Sequence, residues 1–356
     1  MKPARIKKIT VSPIKMRLLQ EFATAKGTHK DLDNLLLCLA LSDGTKGLGE
    51  AAIATHITGE TIQETRKSLE RLGSWIVGRD VRDYALISQR LHEELPVNKA
   101  AVAAAEMAVL DALTKQMRIP LWRFFGSRPK KLTTDITIVI CGQAETEERA
   151  RSFYVQGFRT FKVKVGRDFD LDIKRVVAVK RIVKRSRIII DANQGYGASD
   201  TLRFLKSLED LGVRPDLVEQ PVPKDDWDGL KKVNRLSKAL VCADESVRTV
   251  HDCRRAIREK AVSVINVKLM KSGLIQAREI ALLAHKADIK LMIGGMMETS
   301  LAMTAAAHLA SGLGFFDYVD LDTPFFVAGD LKRNPCLNKR GVYDLSRVKK
   351  GIGITL

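Results

Sequence analysis

The stretch RIIID, residues 187–191, is an apolar run closed by an aspartate, and this pattern decides the fold. It returns in PDLVE (215–219) and ALVCAD (239–244), so that Asp191, Glu219 and Asp244 follow one another at intervals of 28 and 25 residues. One strand, one helix and two short loops of a parallel barrel occupy a repeat of that length. The spacing therefore predicts a barrel with the three acidic residues at one mouth.

Apolar runs and helical stretches continue to alternate on both sides of this region. The other strand candidates are TDITIVI (134–140), TFKVKV (160–165), VSVINVK (262–268), IKLMIG (289–294) and FDYVDLD (316–322). The helical stretches between strands are 144–156, 168–185, 199–211, 226–238, 249–260, 274–287 and 299–311. Strands rich in Ile, Val and Leu suit a parallel sheet that is covered on both faces. The pattern predicts an α/β protein with a TIM-like (β/α)7β barrel.

The chain before the barrel has a different character. Residues 4–19 and 33–42 alternate like strands, a hairpin turn follows at 42–52, and the Ala-rich segment 99–116 favours a buried helix. The segment GSRPKK (126–131) then breaks the pattern. We therefore expect three parts: an N-terminal α+β domain (1–125), the catalytic barrel (126–322), and a C-terminal tail (323–356) that packs outside the barrel, on the N-terminal domain.

Composition restricts the class of protein. The formal net charge is +18, but bases in 174–187 alternate with apolar residues at helical spacing, which indicates a solvated helix face rather than a nucleic-acid site. We find neither a signal peptide nor a run of membrane-span length. Five scattered cysteines indicate reduced thiols. The sequence predicts a cytoplasmic protein with no membrane or nucleic-acid partner, and a basic nucleic-acid-binding protein is the distant alternative.

The three strand-end acids have the chemistry of a magnesium site. Carboxylate oxygens are the ligands that Mg²⁺ prefers, and no His or Cys that would favour a softer metal is directly adjacent to Asp191, Glu219 or Asp244. A single acidic residue after a strand is usually a helix cap or a surface charge. Three in register favour a metal site, because residues at the carboxyl ends of barrel strands form the active site.

Lysines complete the predicted site. Lys162 and Lys164 lie two apart on one strand, so both point into the barrel, and Lys268 reaches in from a strand about half-way round. Buried ammonium groups are costly unless they are paired or used in chemistry. Crowded cations lower the pKa of one another, which would bring a lysine toward the range of a general base. The last strand adds Asp320 and Asp322, a pair suited to an ammonium group on the substrate.

These motifs resemble the enolase superfamily, in its muconate lactonizing enzyme subgroup. The resemblance is carried by KVK (162–164), DANQG (191–195), VEQP (218–221), ADES (243–246) and NVKLMKSG (266–273). The strand end DLD (320–322) is similar to the dipeptide epimerases of the subgroup, including L-Ala-D/L-Glu epimerases. Gly273 is followed by Leu274, where this family often has a second glycine.

The resemblance implies a Mg²⁺-dependent isomerase that inverts the α-carbon of the C-terminal residue of a dipeptide by two-base proton transfer through an enediolate. It assigns Mg²⁺ to Asp191, Glu219 and Asp244, and the two acid/base roles to Lys164 and Lys268. Lys162 would neutralise the developing enolate, and Asn193 and Glu245 would support the site. Asp320 or Asp322 would hold the substrate ammonium.

Substrate preference is predicted from the same resemblance. Its N-terminal domain caps the barrel, so residues 20–30 and 51–58 are expected to contact the dipeptide. Lys26 lies where Ala-Glu epimerases carry a basic residue, which favours L-Ala-D/L-Glu, while Met297 and Glu298 are further candidates for the pocket. A muconate cycloisomerase or an o-succinylbenzoate synthase-type enzyme is the alternative within the class, and a catalytically inactive scaffold is disfavoured. We expect a homo-oligomer.

Overall fold

The computed structural model describes residues 4–354, apart from the side chain of His56. An antiparallel sheet begins the chain, in the order β1-β2-β3. Its strands are β1 (Ile6–Thr24), β2 (Gly27–Leu41) and β3 (Lys46–Ala51). The first two strands pair almost to the turn, with Phe22 opposite His29 and Thr24 opposite Gly27. Residues 20–30, expected as a loop, are therefore mostly the end of a long β-hairpin.

Helices pack on this sheet. They are α1 (Thr55–Thr58), α2 (Ile62–Arg71), α3 (Gly73–Ile76), α4 (Tyr84–Glu94), α5 (Lys99–Gln116) and α6 (Trp122–Phe125). The Ala-rich α5 is the central one, and Ala100–Thr114 is buried. Strand β3 lies close against α5 because glycines face the helix, since a Cβ at Gly47 or Gly49 would collide with α5 carbonyl oxygens. We call this unit of sheet and helices the capping unit.

The second sheet is the predicted barrel. A short strand β4 (Leu132–Thr133) leads into it, and eight parallel strands follow in the order of the chain. They are β5 (Ile136–Ile138), β6 (Thr160–Lys164), β7 (Arg187–Asp191), β8 (Leu217–Glu219), β9 (Leu240–Ala243), β10 (Val264–Lys268), β11 (Lys290–Gly294) and β12 (Tyr318–Asp320). The backbone N–H of Asp135 donates to Val319 O at 2.9 Å, which joins the first strand to the last. The predicted fold class is confirmed.

Seven helices cover the barrel. They are α7 (Gln143–Gln156), α8 (Phe169–Ile182), α9 (Ala198–Asp210), α10 (Trp227–Leu236), α11 (Val250–Glu259), α12 (Leu269–Lys286) and α13 (Ser300–Leu313). Strand residues such as Phe161, Val163 and Ile190 point outward and are fully buried beneath these helices. Within the described residues, no helix is both long and apolar enough to cross a membrane.

The end of the chain runs back over the outside of the barrel. It contains α14 (Asp330–Arg333) and β13 (Val342–Tyr343), and β13 pairs with β4. The backbone N–H of Ile352 donates to Asp111 Oδ1 of α5 at 2.9 Å, and His308 of α13 bonds both Trp122 N (2.9 Å) and Ile352 O (2.9 Å). The tail thus contacts the capping unit and the barrel together.

Candidate active site

A cavity lies at the carboxyl ends of the barrel strands, beneath the capping unit. The barrel contributes its polar lining: Thr137, Lys162, Lys164, Asn193, Lys268, Asp320, Asp322 and Thr323. Apolar side chains come from both parts, with Phe22, Ala54 and Ile57 above and Met296 and Met297 at the side. Thr24, His29 and Gly295 complete the lining. The cavity therefore joins a strongly charged floor to a largely apolar roof.

The three acidic residues predicted from the sequence meet at this floor. Asp191 and Glu219 are the last residues of neighbouring strands and lie opposite each other in register, while Asp244 directly follows the next strand. Their exposed fractions are 0%, 0% and 2%. Three carboxylates so close in a dry site repel one another, so each requires compensating positive charge.

Lysines supply that charge. Lys162 Nζ lies 3.2 Å from Asp191 Oδ2, 2.8 Å from Glu219 Oε2 and 2.6 Å from Asp320 Oδ2. Lys164 Nζ lies 2.5 Å from Asp191 Oδ2, and Lys268 Nζ lies 2.8 Å from Asp244 Oδ2. Lys164 and Lys268 project from β6 and β10, which are four strands apart in the eight-stranded barrel. Two lysines thus enter the cavity from opposite sides.

The pKa values differ from the sequence-based expectation. Burial alone would lower the pKa of Lys268, but the carboxylates of Asp244 and Glu219 outweigh it and raise the pKa above the usual value. The pKa of Lys162 is raised in the same way by Asp320 and Glu219, against its burial. The prediction that crowded cations lower these pKa values was wrong for Lys162 and Lys268, because the carboxylates lie closer to each ammonium group than the sequence could show.

The same ion pairs act on the acids. Burial alone would raise the pKa of Asp191, yet the Lys164 and Lys162 ammonium groups hold it at about 2. Lys268 and Lys271 lower the pKa of Asp244 against the effect of burial. Asp191 and Asp244 are therefore ionised carboxylates at neutral pH, as a metal ligand must be.

The two residues expected to support the site lie beside it. Asn193 Oδ1 accepts a hydrogen bond from Lys164 Nζ at 3.1 Å, and the Asn193 backbone N–H donates to Asp191 Oδ1 at 3.0 Å. Glu245 Oε1 accepts from Gln194 Nε2 at 3.1 Å. Burial, with the charge of Asp244, raises the pKa of Glu245 to about 7. Asn193 thus lines the cavity and orients a lysine, whereas Glu245 does not line the cavity and bonds Gln194 beside it.

Two residues without a predicted role also hold the acids in place. Lys271 is 2% exposed, and its Nζ lies 2.8 Å from Asp244 Oδ1 and 2.8 Å from Asn266 O. Asn266 Nδ2 in turn donates to Glu219 Oε1 at 2.7 Å. The sequence shows Asn266 at an inward-facing strand position two residues before Lys268, which is the signal that could have identified it.

A second acidic group lies on the first and last strands. Oxygens of Asp135, Asp320 and Asp322 come within 4.8 Å of one another, and all three side chains are buried. Thr137 N donates to Asp322 Oδ2 at 2.6 Å, whereas neither carboxyl oxygen of Asp135 has a hydrogen-bond partner. Burial, with the neighbouring charge of Asp320, raises the pKa of Asp322 to about 6. Asp135 was not identified from the sequence, because one aspartate at a strand start carries no distinctive pattern.

The residues predicted to determine specificity lie in different places. Met297 lines the cavity, and Glu298 is fully buried behind it, where its Oε1 accepts from Met296 N at 2.7 Å. Lys26 is exposed in the hairpin turn and is not among the residues that line the cavity. The turn carries it outward, because β1 and β2 remain paired as far as Thr24 and Gly27. The described structure therefore offers no support for Lys26 as the partner of an acidic substrate side chain.

Comparison with known families accounts for almost the whole chain. Residues 6–126 match the N-terminal domain of the mandelate racemase / muconate lactonizing enzyme family, and residues 145–356 match the family described as enolase C-terminal domain-like. The predicted resemblance is confirmed. This chain belongs to the mandelate racemase/muconate lactonizing enzyme family of the enolase superfamily.

Several individual proteins of known name are similar to this chain along almost its whole length. A hydrophobic dipeptide epimerase of Citrifermentans bemidjiense is 45% identical, with 98% of this chain and 97% of that protein covered. The dipeptide epimerase of Enterococcus faecalis V583, complexed with Mg and L-Leu-L-Tyr, superposes with a TM-score of 0.93 at 31% identity over 99% of this chain and 100% of that chain. An N-succinyl Arg/Lys racemase of Bacillus cereus ATCC 14579 superposes with a TM-score of 0.94 at 27% identity over 99% and 95% of the two chains.

The donor set of this enolase-superfamily member fits a hard divalent cation. Asp191, Glu219 and Asp244 offer carboxylate oxygens from consecutive strand ends, which is the ligand chemistry that Mg²⁺ requires. Glu219 Oε2 lies 2.8 Å from Lys162 Nζ but has no hydrogen bond of acceptable geometry, so this buried oxygen is paired by charge alone. An oxygen in that condition is available as a metal ligand.

Proposed function

We propose that this protein is a Mg²⁺-dependent dipeptide epimerase that inverts the α-carbon of the C-terminal residue. The observation that carries the proposal is the cavity itself. Two lysines from opposite strands, Lys164 and Lys268, share it with the buried pair Asp320 and Asp322. Opposed lysines suit proton transfer on both faces of a carbon, and paired carboxylates suit an ammonium group. The similarity to dipeptide epimerases supports the same assignment.

Inversion requires the two lysines to be in opposite protonation states. One lysine accepts the α-proton as a neutral amine, and the other donates a proton to the opposite face as an ammonium ion. At the end of the turnover their states are reversed, which prepares the site for the opposite epimer, and both lysines exchange protons with solvent before the same epimer can react again. Asn193, which accepts a hydrogen bond from Lys164 Nζ at 3.1 Å, keeps that amine directed into the cavity. We assign the acid/base roles to Lys164 and Lys268 on this basis.

Removing a proton beside a carboxylate creates an enediolate, and this developing charge is the main barrier. When bound to Asp191, Glu219 and Asp244, Mg²⁺ would stabilise negative charge on the substrate carboxylate as a Lewis acid. Lys162 is placed to add to this effect, since its buried ammonium group lies between the carboxylates of Asp191, Glu219 and Asp320. The raised pKa of Lys162 keeps it charged throughout, which suits an electrostatic role rather than proton transfer.

The amino end of the dipeptide would lie at Asp320 and Asp322. This assignment separates the two acidic groups of the barrel: the first binds the metal and the second binds the substrate cation. A substrate without a free amine, such as that of a cycloisomerase or an o-succinylbenzoate synthase, would bring no cation to the second group.

The lining of the cavity favours apolar dipeptides. Phe22, Ala54, Ile57, Met296 and Met297 offer no charge to an acidic side chain. The predicted preference for L-Ala-D/L-Glu depended on Lys26, which lies outside the cavity. We therefore propose apolar rather than acidic side chains, in agreement with the specificity named for the relative from C. bemidjiense.

A deuterium-exchange screen tests this function. Pooled L,L-dipeptides are incubated in D2O with Mg²⁺, and mass spectrometry measures deuterium at each α-carbon. We expect incorporation at the C-terminal residue of apolar dipeptides. It should be lost in the double variant that combines Lys164→Ala with Lys268→Ala. The matched control is Lys290→Ala, which removes a half-exposed lysine from the opposite end of strand β11. Exchange absent across the library, with metal bound, would favour an enolate reaction on a substrate without a free amine.

A further inference from the structure

The capping unit is bonded directly to the wall of the cavity. Strand β2 carries Asn34 and strand β3 carries Glu50, and their exposed fractions are 2% and 0%. Asn34 Nδ2 donates to Glu50 Oε1 at 2.7 Å and to the backbone carbonyl of Met297 at 2.8 Å. The two hydrogens of one carboxamide thus join a capping-unit carboxylate to a residue that lines the cavity.

Glu50 extends this connection to the next barrel helix. Its Oε1 accepts from Thr299 N at 2.9 Å, and its Oε2 accepts from Thr299 Oγ1 at 2.6 Å and from Ala302 N at 3.2 Å. Thr299 is the N-cap of α13, so a carboxylate from another part of the fold satisfies the free N–H groups at this helix start. The loop between β11 and α13 is therefore held at its end by the capping unit.

The rest of that loop is fixed from the barrel. Glu298 Oε1 accepts from Met296 N at 2.7 Å, and Thr323 Oγ1 donates to Met296 O at 3.1 Å. Met296 and Met297 form one wall of the cavity, and among the hydrogen bonds that this wall makes with the described residues, the one from Asn34 comes from the capping unit. A small displacement of β2 would thus move the Met297 carbonyl while Met296 stayed in place.

We propose that Asn34 is a specificity-determining positioning residue, which with Glu50 sets the Met296–Met297 wall against the amino-terminal side chain of the dipeptide. The inference rests on the proposed function. Gly294, at the end of β11, lies opposite Asp320 in register, so the wall stands beside the carboxylates assigned to the substrate ammonium. The side chain next to that ammonium group is the one that meets the wall. The hydrogen bonds of Asn34 go to Glu50 and to Met297 rather than to the lysines or the acidic residues of the cavity, so it acts on fit rather than on proton transfer.

The test compares two leucine variants of buried asparagines. Asn34→Leu keeps the branching of the side chain, with a larger volume, and removes both donors. The control is Asn334→Leu, because Asn334 is 4% exposed and its Nδ2 donates to Thr304 Oγ1 of α13 at 3.0 Å, away from the cavity lining. Each variant is assayed with L-Ala-L-Phe and L-Leu-L-Phe, which differ only at the amino-terminal side chain.

Asn34→Leu is expected to change the ratio of kcat/KM for the two dipeptides by about tenfold, mostly through KM, because the fit of one methylene in an apolar pocket is worth roughly 10- to 200-fold in discrimination. The control should change the ratio less than about twofold even if its Tm falls equally. Amide hydrogen exchange at residues 298–302 should also accelerate in Asn34→Leu, whether or not a substrate is turned over.

Two outcomes would overturn the inference. An unchanged ratio in Asn34→Leu would show that the wall does not depend on Asn34, and unchanged amide exchange would show that the bond does not hold the loop. Failure of the wild-type protein to turn over any dipeptide would reject the proposed function instead, and the exchange measurement would still decide whether Asn34 holds the wall.

Discussion

Asn266 Nδ2 donates a 2.7 Å hydrogen bond to Glu219 Oε1 across the interior of the barrel, from a strand two places further round. Both side chains are fully buried. The bond occupies one oxygen of Glu219 and leaves Oε2 directed toward Lys162. The middle carboxylate of the predicted metal site therefore has a fixed orientation before any cation arrives.

Asn266→Ala should weaken divalent-cation binding by roughly 10- to 100-fold, the usual effect of losing a residue that orients a metal ligand. Mn²⁺ binding, followed by electron paramagnetic resonance, measures this without reference to turnover. Asn234→Ala is the control, because Asn234 bonds Lys260 O and Ser263 Oγ at the other end of the barrel. Equal affinities in both variants and the wild type would remove Asn266 from the metal site.

Single lysine variants should separate proton exchange from inversion. With one base removed, the remaining lysine can still take and return a proton on its own face. Lys164→Ala and Lys268→Ala should therefore each abolish epimerisation, while each retains α-deuterium exchange with only one of the two epimers, and the retained epimers should be opposite. Nuclear magnetic resonance of separate L,L and L,D substrates in D2O gives both rates. Loss of exchange with both epimers in either variant would contradict the two-base assignment.

The ammonium assignment predicts a pH dependence. Burial and the charge of Asp320 raise the pKa of Asp322 to about 6, so protonation below that pH removes a negative charge from the subsite. The kcat/KM for dipeptides should rise with pH through about 6. Asp322→Asn should remove this inflection and lower kcat/KM by about 30-fold or more, the usual loss when one partner of a buried charge pair is removed. Metal affinity should be preserved.

Asp317→Asn supplies the comparison for that experiment. Asp317 lies just before β12 and accepts a hydrogen bond from Leu291 N at 3.1 Å, at the opposite end of the strand from Asp322. Its replacement should leave the pH profile unchanged. A dipeptide profile that is also unchanged in Asp322→Asn would rule out the ammonium role of Asp322.

His308 should make the fold sensitive to acid. Burial lowers its pKa from 6.5 to about 4, partly offset by its bond to Ile352 O. The backbone N–H of Trp122 donates to Nδ1, so only the neutral ring satisfies both contacts. As the pH falls, the His308 ring is protonated in the unfolded chain near pH 6.5 and in the folded protein only near pH 4. The contribution of the neutral ring to the free energy of unfolding is therefore complete above pH 6.5 and is lost as the pH falls to about 4, by roughly 3 kcal/mol in all.

Denaturant titrations at several pH values test this effect. His308→Gln should have a lower free energy of unfolding at pH 7 and a weaker decline between pH 6.5 and 4 than the wild type. The other acidic groups titrate in both proteins and cancel in the difference. Parallel curves for the two proteins would show that His308 does not cause the acid sensitivity.

Much of the barrel could be predicted because its signals are local. Runs such as RIIID are closed by an acid and separated by amphipathic helices, and the observed bounds of β7 match that run. The hairpin around Ala25 was less predictable. Its pairing depends on cross-strand contacts such as Phe22 with His29, and a mixed polar sequence does not reveal these.

In the site, too, residues with a local sequence signal could be predicted and residues placed by distant contacts could not. Lys164, Lys268 and the three strand-end acids can be recognised because parallel strands bring their carboxyl ends to one edge. Lys271 could not be placed, because it lies in the first turn of α12, ahead of a break at Gly273 (φ 72°) that folds it back onto Asp244. Contacts made across the fold, such as Asn34 with Met297, depend on the relative placement of two units and leave no periodic trace.

The C-terminal tail has a consequence for how the protein is made. Ile352 bonds Asp111 of α5 and His308 of α13, so a residue late in this sequence joins elements that leave the ribosome much earlier. The capping unit and the first barrel strands remain incompletely covered until residue 352 has been synthesised. Contacts between such distant residues slow folding. Loss of the contacts of Ile352 would therefore first lower the yield of folded protein during biogenesis, while the chemistry of the cavity stayed intact in the molecules that did fold.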